Sequence, residues 1–197
     1  MPQFKALDPK VEVNGQTVLS IVDGMGTFKT LSLEYLSQNG IPDPQLEAWY
    51  SQQDWLNAFH DIAKSLGGDV LRLIGNKIPE NAQWPPEIQT IKQGLASIDV
   101  AYHINHRIGG KLLFDPATGQ MSEGIGHYMF HDKGDSLVWV TCDNPYPCDF
   151  DFGIVEAVAN KFCEPGIFVR VRHGGDSCRK DGHDHCTYTV SWSKSTG

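Results

Sequence analysis

The run HYMFHDKGDSLVWVTCDNPYPCDFDFGIVEAVANKF, His127 to Phe162, changes its period part-way along. Its first half sets short β-branched and aromatic runs on either side of the turn cluster Asp132-Lys133-Gly134-Asp135, the pattern of an antiparallel hairpin. Its second half places Ile154, Val155, Val158, Ala159 and Phe162 on one helical face. A hairpin followed by a helix with an apolar face to bury predicts a helix lying across an antiparallel sheet.

Outward from this core the texture divides. Downstream, IFVRVRH and CTYTVSW read as further strands, and upstream KLLFDPATGQM reads as another hairpin about its D-P-A-T-G turn. Before Lys111 the pattern is helical. Ser51 and Asp54 form a variant of the capping box ahead of Trp55, Leu56, Phe59, Ile62, Ala63 and Leu66, and Gly67-Gly68 ends that helix. After Trp84-Pro85-Pro86 the spacing of Ile88, Ile91, Leu95, Ile98 and Tyr102 predicts a second helix, and LSLEYLSQNG predicts a short one ending at Gly40. The first thirty residues, with VNGQTVLSIVDGMGTF, read as an arm or short hairpin. The expected fold is α+β: N-terminal helices, then an antiparallel sheet with a packed helix. One domain over 1–197 is expected, mainly helical over 1–110 and mainly sheet, with the metal site, over 111–197.

Composition narrows the function classes. With 16 Lys and Arg against 24 Asp and Glu, the net charge is −8, which disfavours nucleic acid as a partner, since that affinity rests on clustered cations. No apolar run approaches the roughly 20 residues that span a bilayer. The N-terminus lacks the pattern of a signal peptide, so a cytoplasmic protein is expected. In a reducing compartment the five cysteines are read as thiols or metal ligands rather than disulfides. Cys178 and Cys186 flank seven residues that include the turn Asp181-Gly182, so two strands joined there can bring both thiolates to one cation. Zinc suits such ligands, and buried thiols that merely pack are the alternative.

The blocks NPYPCDFDFGIVEA and HGGDSCRKDGHDHCTY resemble the C-terminal half of 4-vinyl-reductase-type domains, which are related in fold to heme nitric-oxide-binding domains. Domains of this type also form the sensory part of phenol-responsive transcription activators. Their zinc site uses a Cys five residues before a Gly, an acidic residue, and a Cys-x7-Cys pair followed by an aromatic. Cys148 with Gly153, and Cys178 and Cys186 with Tyr188, match that pattern. The acidic position is occupied by Gly175, so the resemblance implies His173 as substitute ligand, with Asp176 the oxygen alternative and Cys142 the next. It implies a structural zinc on Cys148, His173, Cys178 and Cys186, which leaves no open position for chemistry. Cys142 and Cys163 are otherwise read as packed thiols, and His183 and His185 as solvent-facing turn residues.

Function is then expected in a cavity between helices and sheet. The resemblance implies aromatic walls with a His or Trp as polar anchor, and Tyr102, His103, His106, His127, Tyr128, Trp84 and Trp139 are the candidates, with His106 favoured. On a continuing helix His103 and His106 would share a face; on a strand they would not. Catalytic patterns are thin: DGMGTFK and EGIGHY lack the context of a phosphate loop and read as turns. Asp143, Asp149 and Asp151 read as capping and dipole complement near a helix start. The expectation is a ligand-binding sensory module, more a sensor than an enzyme. It would take a small apolar or aromatic ligand, or a tetrapyrrole, and signal as a homodimer through a partner protein. The alternatives are a heme-based gas or redox sensor using His103, His106 or His127, and a tetrapyrrole vinyl reductase or its accessory.

Overall fold

The computed structural model describes residues 3–175 and 177–194. The chain opens with β1 (Val11–Asn14), which has no adjacent hairpin partner. The Asn14 side chain accepts from Thr17 N–H and caps a helix at once, so two short helices follow, α1 (Gly15–Val18) and α2 (Ser20–Gly24). Then come α3 (Lys29–Gln38), β2 (Trp49–Ser51), α4 (Gln52–Leu66) and α5 (Gly68–Asn81). Ser51 Oγ accepts from Asp54 N–H at 3.3 Å and caps α4 as its spacing implies. Gly67, at φ 86°, turns the chain, yet Gly68 already begins α5. The glycine pair therefore separates two helices instead of ending the helical segment. The apolar pattern over 88–102 is also divided, into α6 (Ile91–Ala96) and α7 (Ile98–Ile104). The break is at Ser97, whose hydroxyl donates to the Gly94 carbonyl at 2.8 Å.

The second half runs β3 (His106–Ile108), β4 (Lys111–Leu112), β5 (Phe114–Asp115), β6 (Gln120–Met121), β7 (Tyr128–Asp132), β8 (Leu137–Cys142), α8 (Cys148–Lys161), β9 (Ile167–Gly174) and β10 (Cys186–Lys194). The larger sheet has the order β7-β8-β10-β9, antiparallel throughout. A smaller one, β2-β1-β3-β4, makes β1 an interior strand rather than an arm. Period-two burial sets the inner face of the larger sheet: Val138, Val140 and Cys142 on β8 and Cys186, Tyr188 and Val190 on β10 are buried. Helix α8 packs on α5 and α6 on one side and on β9 and β10 on the other, so it buries Cys148, Phe150, Asp151 and Gly153 beyond the expected face. The architecture is α+β, with one hydrophobic cluster running through both halves. Among the described residues no helix is long and apolar enough to cross a membrane.

Candidate functional site

Cys148 is the first residue of α8, where the positive end of the helix dipole favours a thiolate. The strand pair brings the other sulfurs to it. Cys186 Sγ lies 3.0 Å and Cys178 Sγ 3.6 Å from Cys148 Sγ, and the cysteines are free thiols. Opposite Tyr188 in the register, His173 completes a set of four donor atoms that lie within 4.8 Å of one another. A zinc tetrahedron with bonds of about 2.3 Å holds sulfurs roughly 3.8 Å apart, so a slight opening of this cluster fits the ion. The Cys148 thiol donates to Cys186, and with donors from His173 and Arg179 it draws the Cys186 thiol strongly toward thiolate. Cys148, as the proton's holder, is pushed the other way. Asp176 lies outside the described residues. Cys142 sits opposite Cys186 in the sheet but outside the four-donor cluster, and burial pushes its thiol well up.

Beneath α8 a cavity of about 370 Å³ opens between helices and sheet. Tyr102, His106, Tyr128, Tyr146, Trp55 and Trp84 are among its walls. His106 is 2 % exposed; its Nδ1 donates to the Tyr102 carbonyl at 2.7 Å, and its Nε2 accepts from Tyr146 Oη at 2.6 Å. Gln52 donates in turn to Tyr146 Oη at 3.0 Å. Burial lowers His106 to about 4 and raises Tyr102, Tyr128 and Tyr146, so these groups are neutral at neutral pH. No Asp, Glu, Lys or Arg lies among the described lining residues. Two polar atoms of the lining residues, Trp55 Nε1 and Ser20 Oγ, are buried without a hydrogen-bond partner. Such an atom costs about 1–3 kcal/mol unless something polar enters to meet it. At the mouth, Gln16 Nε2 donates to the Asn81 carbonyl at 2.7 Å.

The fold distributes the other candidates differently. His103, in α7, faces Asp99 and His127 rather than the cavity, whereas His106 has passed onto β3. Trp139 is at an outward position of β8, 42 % exposed, beneath the Lys133 ammonium at 4.3 Å. Of the three acidic residues near the helix start, Asp151 is not a cap. It is buried, accepts from Arg179 and from Tyr128 Oη, and is pushed up to about 6 by its burial, against the pull of Arg179. Asp149 pairs with Lys180, and Asp143 accepts from His127 N–H. Sequence reasoning missed Ser20, Tyr146 and Arg179, and it assigned Trp55 to a core face only. An NPYP turn next to a cysteine was the one signal that Tyr146 is held in place.

No family model matches this sequence. No curated protein matches it in sequence either. Solved structures do match in three dimensions. An H-NOX protein from S. oneidensis in the Fe(II)NO ligation state superposes with a TM-score of 0.63 at 14% identity, covering 92% of this chain and 99% of that one. The fold is that of the H-NOX domains. A mutant of T. Tengcongensis H-NOX matches with a TM-score of 0.62 at 12% identity over 92% of this chain and 97% of that one. An oxygen-binding H-NOX domain related to soluble guanylate cyclases gives 0.60 at 12% identity, over 91% and 93%. In this H-NOX fold the cavity lies between the α7–β3 segment and α8, and the thiols lie at the N-terminal start of α8.

Proposed function

We propose that this chain is a small-molecule-binding sensory module of the 4-vinyl-reductase type, built on the H-NOX fold and stapled by a structural zinc, with a partner protein carrying the output. The observation that carries the reading is the uncharged cavity with unpartnered Trp55 Nε1 and Ser20 Oγ beside the His106–Tyr146 pair. A buried donor and a hydroxyl with nothing to bond favour a neutral aromatic ligand with one polar substituent, such as a phenol. His106 and Tyr146 would orient its polar group, and Tyr102, Tyr128 and Phe150 would exclude water around the ring. Cys148, His173, Cys178 and Cys186 would hold zinc, which supplies no chemistry in a closed site and ties β9 and β10 to α8.

The heme-sensor reading is favoured by the solved neighbours, one of which is described in a nitric-oxide ligation state and another in an oxygen complex. The described residues do not fit the group. Both ring nitrogens of His106 are engaged within the protein, His103 and His127 lie outside the cavity lining, and no basic side chain lines the wall to meet propionates. At about 370 Å³ the cavity is at the small end of ligand pockets.

Calorimetric titration with phenol, beside a visible spectrum after incubation with hemin, separates the readings. Binding of phenol that His106→Ala weakens roughly tenfold or more, with no Soret band, is expected. A Soret band that disappears in His106→Ala would replace this reading with the heme sensor.

A further inference from the structure

The glycine-rich segment EGIGHY, Glu123 to Tyr128, reads in sequence as a plain turn. In the structure it lays a histidine against α7. Gly124 and Gly126 have φ of 128° and 76°, and a Cβ on Gly126 would fall 2.6 Å from the Asp143 carbonyl oxygen, so the loop has little freedom to take another path. Its position is held from both sides. His127 N–H donates to Asp143 Oδ1 at 2.6 Å, and Tyr128 N–H donates to Asp99 Oδ1 at 2.9 Å.

Asp99 lies in the first turn of α7, and His103 follows one helical turn later on the same face. His103 is fully buried, and its Nδ1 donates to the Asp99 carbonyl at 2.8 Å. That bond fixes the tautomer that leaves the lone pair on Nε2, the arrangement usual in a metal-binding histidine. Nε2 is buried and has no hydrogen-bond partner. The His127 ring stands 5.0 Å from the His103 ring, with its Nδ1 2.9 Å from Asp99 Oδ2 and its Nε2 3.0 Å from Glu123 Oε2. One donor atom from each of Asp99, His103 and His127 lies within 4.8 Å of the others. A histidine clamped by two carboxylates accounts for His127 and leaves His103 unexplained.

We infer that Asp99, His103 and His127 form a site for a divalent transition cation, separate from the cysteine cluster, with Glu123, on the far nitrogen of His127, as the carboxylate that orients its ring. Two imidazoles with one carboxylate suit Zn(II), Ni(II) or Co(II). Without a thiolate the set has no preference for a soft cation, and with two nitrogens it is a poor site for calcium or magnesium. Glu123 is 84 % exposed and His127 a quarter exposed, so the site opens to solvent on one side and would exchange its ion, unlike a closed structural centre. The ion would join α7 to the loop before β7. That loop already carries the Ile125 carbonyl that accepts from Tyr102 Oη at 2.7 Å, so occupancy would reach the cavity wall.

The test is a Ni(II) titration of the full chain by calorimetry and elemental analysis, compared with His127→Ala and with Glu123→Gln. Glu123→Gln changes only an exposed side chain and serves if His127→Ala fails to fold. The expected result is one equivalent more in the wild type than in His127→Ala, whatever the cysteine cluster holds, and affinity reduced roughly tenfold or more in Glu123→Gln. Equal stoichiometry and affinity in the wild type and whichever variants fold would overturn the site. The inference stands apart from the zinc and phenol readings, so its failure leaves them untouched.

Discussion

His106 shows how one buried group sets a measurable property. Unfolded, its imidazole titrates near 6.5; folded, burial lowers it to about 4. Between those values the unfolded chain holds a proton that the folded protein refuses, so stability falls as pH drops from 6.5 toward 4 and is unaffected by this group above 6.5. The full difference amounts to about 3 kcal/mol. Urea midpoints of the wild type should therefore fall between pH 7 and pH 4.5 more steeply than those of His106→Gln, which has no such proton to gain. Parallel curves would remove His106 as the source. The sequence marked His106 as the favoured anchor, and the fold sets its ring in the cavity wall. Spacing could not separate His106 from His103, because three residues mean one face on a helix and opposite faces on a strand. The chain changes from helix to strand between the two. Trp139 was misplaced for a related reason: an aromatic on a strand is inner or outer by parity, and its neighbours Val138 and Val140 occupy the inner face.

At the scale of elements, the seat of the cavity is the crossing of α5 and α8, which the two helices make backbone to backbone. A Cβ on Gly75 would lie 2.1 Å from the Phe150 carbonyl oxygen, and one on Gly153 would lie 2.2 Å from that of Arg72. Gly153→Ala would gain about 1 kcal/mol in helix propensity. It must also push apart main-chain atoms that have no rotamer to escape into, an overpacking cost of about 1–3 kcal/mol or more. The crowding wins, and Tm is expected to fall by roughly 2–4 °C for each kcal/mol of the net loss. A variant with unchanged or raised Tm would mean that the helices separate freely. Helix α8 was legible because its apolar residues recur at 3.6, and α4 because Ser51 and Gly67 mark its ends. Helix α5 was not, since Gly68, Gly75 and Pro79 are residues a helix interior disfavours. They are present because Gly68 lies against Asp149 and Gly75 against α8, a tertiary reason that no local pattern carries. Likewise β1 reads as an arm because both its partners, β2 and β3, come from distant parts of the chain.

Across the whole molecule, the thiol cluster and the cavity are joined by one buried cation. The Arg179 N–H and Nε both donate to Cys186 Sγ, at 3.3 and 3.4 Å. Its guanidinium donates to Asp151, whose other oxygen accepts from the cavity residue Tyr128 at 2.5 Å. It also donates to Asn144 Oδ1 at 2.9 Å, the same oxygen that takes the Tyr146 N–H at 2.9 Å. Arg179 and Asp151 are both fully buried, so removing one alone strands the other at a cost of about 3–5 kcal/mol. The pair thus links Cys186 to Tyr128 through Asp151 and to Tyr146 through Asn144 in one buried hydrogen-bond network. If the cysteines hold zinc and the cavity a phenol, chelating the metal should weaken phenol binding by about tenfold, and phenol should tighten the metal by the same factor, as linkage requires. The double variant Arg179→Met/Asp151→Asn removes both charges together and should bring that factor close to one while each site still binds. A factor that persists in the folded double variant would show that the coupling travels through α8 itself, and the buried pair would then be a matter of stability alone.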